Sequence, residues 1–350
     1  MRRRDENRRW AKALLLLALS VSGSGCYYMQ AATGHWQVMR KSEPITEVVG
    51  EAGTPQELAD RLRLVQAARR FSIEELGLPD NESYRNYANI ERDYVVWNVF
   101  AAPEFSLEPR QWCFPVAGCV SYRGYFSQDA AIRESERLSK DGYDVAVGGV
   151  SAYSTLGKFS DPVLSSMLRW DDIRLVGVLF HELAHQVLYI KGDSGFNESF
   201  ATAVEEFGLE RWLRTNGRPE DIEIYRQRRQ VRQELMVLVA DARADLRTYY
   251  AAALEDDEKR RLKRARLERL AADISAELAR TGSESSAWAS GELNNARLAS
   301  MTLYEGRLPS FRSLLAQCEQ DIRCFLARAK TLSQLEEAER NASLDALAGS

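Results

Sequence analysis

Residues 171–206 read DDIRLVGVLFHELAHQVLYIKGDSGFNESFATAVEE, and the fold and chemistry of the chain are read outward from this stretch. It holds His181, Glu182 and His185 as His-Glu-Leu-Ala-His, with Asn197-Glu198 beginning twelve residues after His185. Ile173, Leu175, Val176, Val178, Leu179, Phe180, Leu183, Ala184, Val187 and Leu188 surround the polar positions on nearly every face. That pattern predicts a buried helix, with Asp171 as its N-cap. Two histidines four residues apart lie one turn above each other and can direct nitrogens at one metal ion. The glutamate after the first histidine falls beside that ion, where a base for metal-activated water must stand.

A catalytic zinc site takes three protein ligands and keeps one position open. His181 and His185 supply two, and Glu198 is the candidate third, because Gly192 and Gly195 offer a turn and Asn197 can open a second helix. Thr202 and Glu205 then fall on the face of Glu198, one and two turns on, where one of them can orient a histidine. Glu205 and Glu206 read equally well as ordinary surface acids. In this scheme Glu182 takes a proton from water and hands it to the leaving amine. The oxyanion needs a donor; only His35 remains among three histidines, so a tyrosine is expected, with Tyr304, Tyr153, Tyr122 and Tyr125 all open. Each of these also reads as a packing residue. Chance placement is the bland alternative for the motif, but burying two imidazoles and a carboxylate without a purpose is costly.

With 350 residues the chain can bury a large core as one large domain or two modest ones. A formal net charge of −4 gives no sign of nucleic-acid binding. Residues 1–25 have a basic start, a short apolar run from Ala13 to Val21 and small residues before Cys26, the layout of a secretory signal. The run is too short for a helix that spans a bilayer. Ser24-Gly25-Cys26 resembles the end of a bacterial lipoprotein signal, with Cys26 lipidated, although Gly23 stands where leucine is usual. Plain secretion or an uncleaved anchor are the alternatives. Cys113, Cys119, Cys318 and Cys324 come as two close pairs and favour an oxidising compartment. Three connectivities are possible. Pro115 and Gly118 favour a turn that joins Cys113 to Cys119, whereas a Cys318–Cys324 bridge requires the helix to break near Gln320, free thiols being the alternative.

Helices are expected over Tyr27–Arg40, which includes His35 in a structural role, and over Pro55–Leu78. The period then changes. Strands are expected from Tyr94 to Phe100, from Cys119 to Phe126 and from Tyr143 to Leu156, with a helix over Ser127–Lys140. Gly148 and Gly149 mark either a bulge or an edge on which a peptide backbone can pair. Beyond Glu206 the chain reads as almost all helix: a hairpin carrying Leu235, Leu246, Leu267 and Ile274, a loop over Thr281–Glu292, and a helical region from Asn294. The basic residues 259–266 are interleaved with acids and read as a solvated face rather than a lipid or partner site. The fold class is α+β, divided into a signal (1–25), a catalytic region (26–210) and a helical region that completes the cleft (211–350).

The motif with Phe196-Asn197-Glu198-Ser199-Phe200-Ala201 resembles the gluzincin metallopeptidases, which include thermolysin and the zinc aminopeptidases, at a shorter spacing. Thr202 stands where thermolysin-like enzymes carry an aspartate. The signal ending at Cys26, residues Cys119–Phe126, Tyr153–Gly157 and Leu293–Arg297 resemble a family of bacterial lipoproteins described as aminopeptidases, over most of the mature chain. This implies a zincin-like catalytic half, zinc at His181, His185 and Glu198, a base at Glu182 and a peptide or protein substrate. The setting implied is the bacterial envelope, facing the periplasm on a lipid anchor, with the outer membrane favoured over the inner. An envelope endopeptidase and a non-enzymatic, partner-binding zinc lipoprotein are the competing readings.

Overall fold

A computed structural model describes residues 27–114, 118–216, 218–282, 292–302 and 306–349. Helix α1 (27–40) leads through β1 (Ser42–Pro44) and α2 (Ile45–Gly50) to α3 (Gln56–Glu74). Leu62, Val65, Ala68 and Phe71 of α3 recur at three-residue steps, and all are buried. There follow β2 (Asn86–Ala88), β3 (Val96–Pro103), β4 (Trp112–Phe114), β5 (Gly118–Val120) and β6 (Arg123–Tyr125). Helix α4 (Gln128–Lys140) starts on the Ser127 side chain, which accepts from Ala130 N, and ends before Gly142, whose φ of +84° suits the reversal into β7 (Tyr143–Val150). The short β8 (Val163–Leu164) precedes α5 (Asp172–Val187) and α6 (Ser194–Thr215).

Strand β3 is central to an antiparallel sheet of order β6-β3-β7, in which Asn98 lies opposite Gly124 on one side and Gly148 on the other. β1, β2 and β8 form a second small sheet, antiparallel between β1 and β2 and parallel between β2 and β8. The strand expected over Cys119–Phe126 is instead two short strands in different sheets, because the chain leaves the β4–β5 hairpin at Ser121-Tyr122 to join β3. The strand expected to Leu156 ends at Val150 and gives way to an irregular segment.

The rest is helical: α7 (Pro219–Ala251), α8 (Asp256–Thr281), α9 (Asn295–Thr302), α10 (Leu308–Gln317), α11 (Ile322–Ser333) and α12 (Glu337–Ala348). The fold is therefore α+β with a mostly helical C-terminal half. Helices α7 and α8 pair as a hairpin with their own core of Leu235, Val239, Leu246, Leu270 and Ile274. The main core joins α3, α5 and α6 to Phe311, Leu314, Phe325 and Leu344 from the C-terminal helices. Helix α6 runs past residue 210, where the sequence divides the catalytic from the helical region, and ends at Thr215.

Both cysteine pairs are closed locally. Cys113 and Cys119 face each other across the β4–β5 hairpin, and Cys318 and Cys324 bridge the turn between α10 and α11. That turn satisfies the condition the sequence set: the helix breaks at Glu319 and Gln320, both with positive φ, and Asp321 caps the next helix. Phe200 of α6 is fully buried, stacked on Phe325 at 5.8 Å and edge-on to Phe311 at 5.9 Å. Phe200→Ala is expected to lower the unfolding free energy by about 3–5 kcal/mol in a guanidinium titration.

Candidate metal centre

The motif helix α5 begins on Asp171, whose carboxylate accepts from Arg174 N. His181 and His185 are both buried on one face, with ring centroids 4.9 Å apart. Helix α6 packs directly across that face. Its cap lies four residues ahead of the expected Asn197: Asp193 caps the helix and accepts from Phe196 N. Asn197 instead faces back, accepting from Ile190 N and donating to Ile190 O, both at 2.7 Å, which pins the loop between the helices. The β4–β5 hairpin presses on the same loop at Gly118, where a side chain would collide with the Gly192 backbone at 2.7 Å.

This folding-back brings Glu198 to the histidines. Its Oε2 lies 3.2 Å from His181 Nε2 and 3.7 Å from His185 Nε2. One ligand atom from each of the three residues falls within 4.8 Å of the others, and this group can hold a metal ion. Two imidazole nitrogens and a carboxylate oxygen are a donor set suited to a divalent transition metal. The other nitrogen of His181, Nδ1, donates to Glu205 Oε2 at 3.0 Å. Of the two residues expected on the face of Glu198, the structure thus brings Glu205 to the site. Gly177, one turn before His181, makes room for it: a Cβ there would sit 3.1 Å from Glu205 Oε1. Glu206 points elsewhere, to Arg312 and Arg229.

The electrostatics follow from burial and pairing. Burial pushes the His181 pKa down, but hydrogen bonds and charge from Glu198 and Glu205 outweigh it and raise it to about 10. Burial pushes Glu198 up, but His181 and His185 bring it down to about 2. Glu182 lies between its two histidines in sequence; burial raises its carboxyl pKa, His185 and His181 oppose this, and Glu198 and Asp161 add to it.

The tyrosines separate. Tyr122, at the break between β5 and β6, packs 5.6 Å from the Phe100 ring, and its pKa is raised first by burial and then by the charges of Glu198, Tyr189 and Glu182. Tyr153 is bound by His35 instead, Nδ1 to hydroxyl at 2.7 Å, and packs on Phe126. His35 is thereby a partner of Tyr153 and not part of the metal group. Tyr125 lies under α4 with Val99 and Leu138. Tyr304 lies outside the described residues, as does Cys26. Two residues that the sequence did not single out also bear on the electrostatics of Glu182. Tyr84, fully buried with φ +60°, and Asp161, which accepts from Thr155 N at 2.8 Å, both interact with it electrostatically. Neither stands in a recognisable pattern, so only the fold reveals them.

A metal ion bound here would displace a proton, because Glu198 and Glu205 raise the His181 pKa to about 10. Calorimetry in buffers of different ionisation enthalpy is expected to show about one proton released per metal bound at pH 7. Glu205→Gln, which weakens the carboxylate on His181 Nδ1, is expected to lower metal affinity roughly 10–100-fold in the same titration. Without metal, the His181 contribution to stability is full below its ordinary 6.5 and lost as pH rises through about 10. That of Glu198 is full above its ordinary 4.5 and lost as pH falls through about 2. The metal-free protein is therefore expected to draw most stability from this pair between pH 4.5 and 6.5, as read by thermal melts across pH.

No curated protein and no solved structure matches the chain. Residues 26–344 match the family described as "Putative aminopeptidase", and the chain belongs to that family.

Proposed function

We propose that this protein is a zinc-dependent peptidase of the aminopeptidase type, with His181, His185 and Glu198 as metal ligands and Glu182 as general base. The observation that carries the reading is the convergence of the three ligand atoms within 4.8 Å beside an otherwise unassigned, largely enclosed glutamate. A zinc ion, when bound, lowers the pKa of water to roughly 7 and polarises a peptide carbonyl. Glu182 receives the proton of the attacking water and returns it to the leaving amine nitrogen, and its raised pKa suits both transfers. Tyr122 is the donor we assign to the carbonyl oxygen as charge develops there, ahead of Tyr153 and Tyr304. Glu205 keeps the His181 ring oriented through Nδ1.

One observation favours an endopeptidase as the second reading. Among the described residues strand β7 pairs with β3 alone, which leaves its other edge to a peptide backbone. Asn294 Nδ2 donates to Val145 O and Ser166 Oγ to Ser151 O, which occupies both ends of that edge and leaves Val147 to Gly149 between them. A non-enzymatic zinc lipoprotein is less well supported, because structural zinc has no use for a base at Glu182. We place the protein in the bacterial envelope, facing the periplasm through a lipidated Cys26. The two closed disulfides support an oxidising compartment.

Peptides with free and with acetylated N-termini discriminate these readings. Cleavage of the free peptide alone is expected, lost by about 10³-fold or more in Glu182→Gln with bound zinc retained. Cleavage of both peptides identifies an endopeptidase, and equal rates for wild type and Glu182→Gln overturn the enzyme. Tyr122→Phe is expected to lower kcat about 10²-fold with little change in KM.

A further inference from the structure

Helix α1 has a composition at odds with a solvated surface. A chain that is 28% charged would place about four charges in a helix of this length, but residues 27–40 carry only Arg40 and no acid. One side of the helix is fixed to the body: Tyr27 stacks on Phe114 at 5.5 Å, Gln30 accepts from Phe126 N at 3.1 Å, Gly34 lies flush on the Phe126 ring, and Val38 is buried. The other side is open. Tyr28, Met29 and Trp36 are 45%, 70% and 57% exposed, and with the exposed Ala32 they fall within roughly 100° of helical arc. Arg40 borders this face, its guanidinium 4.6 Å from the centre of the Trp36 ring.

We infer that this face of α1 rests on a phospholipid bilayer, with Met29 and Trp36 in the headgroup layer and Arg40 at its polar margin. The inference goes beyond the peptidase reading and rests on the reading of Cys26 as the lipidated residue. Cys26 immediately precedes the helix, and one residue spans at most about 3.8 Å, so acyl chains on it hold the start of α1 at the membrane surface. Tryptophan and tyrosine with a basic residue are the side chains that settle at that interface. Among the described residues no helix is long and apolar enough to cross a membrane, so the contact is a surface one. Because His35 of the same helix holds Tyr153 and Gly34 abuts Phe126, the contact also fixes how the body is oriented over the lipid.

The test uses the chain from residue 26 with Cys26→Ser, which carries no acyl group, sedimented with vesicles of phosphatidylethanolamine and phosphatidylglycerol. It is expected to bind, and adding Met29→Gln and Trp36→Gln is expected to lower partitioning about tenfold with an unchanged melting temperature. No binding, equal binding by both forms, or association of the chain with itself through these residues overturns the inference. Mass spectrometry of Cys26 from bacterial membranes tests the anchor separately. An unmodified Cys26 with binding that depends on Trp36 removes the anchor and upholds the surface, whereas an acylated Cys26 without that dependence removes the surface alone.

Discussion

The contact between α5 and α6 buries two imidazoles and a carboxylate, with a second carboxylate at its margin, and the rest of the structure answers to that burial. Any of these groups alone in an apolar interior would cost several kcal/mol. Together they compensate: His181 sits between Glu198 on one nitrogen and Glu205 on the other. The compensation holds only while α6 stays at its present height against α5. Asn197 fastens the connecting loop to Ile190, and Arg340 donates twice to Asp193 at the head of α6.

Arg340 explains why residues so far along the chain belong to this site. It is buried on α12, which packs on α10, and α10 brings Phe311 against Phe196 at 5.0 Å and against Phe200. Phe196 and Phe200 flank Glu198 on α6 and point to the opposite side, into the main core. The C-terminal helices therefore help to set the position of Glu198 through its neighbours Phe196 and Phe200. The α7–α8 hairpin is different in kind, since its leucine core is separate and its outer faces are lined with ion pairs such as Arg280–Glu234 and Arg266–Asp245.

The motif helix, its cap, the β3 and β7 strands, α3, α4 and the leucine hairpin were legible in the sequence because each rests on local periodicity or on a cap. The small β1-β2-β8 sheet was not: strands of two or three residues such as Asn86–Ala88 carry no alternation to detect. Nor was the division of residues 119–126 into two sheets, which depends on where the chain must turn and not on strand propensity. At the site, His181, Glu182 and His185 announce themselves by spacing, while Glu198 and Glu205 needed a correct guess about the return of the second helix. What distinguishes Tyr122, Tyr125 and Tyr153 is tertiary placement. Three tyrosines on neighbouring segments look alike until the break after Val120 sets Tyr122 against Phe100, Tyr125 under α4 and Tyr153 on His35.

The position of Glu205 follows from helix geometry. A carboxylate one turn after Glu198 would reach His181 easily, but that position holds Thr202, which carries no charge. Seven residues after Glu198 the helix returns to nearly the same face, roughly 10 Å further along its axis. A glutamate at that height reaches His181 only if the two helices run close beside the turn preceding the histidine. Gly177 stands at that turn, and its missing side chain is the space into which Glu205 extends. Gly177, His181, Glu198 and Glu205 thus form one geometric unit across two helices. Exchange of Glu205 would remove, and exchange of Gly177 would crowd, the carboxylate that holds His181 Nδ1, the nitrogen opposite the one that meets Glu198.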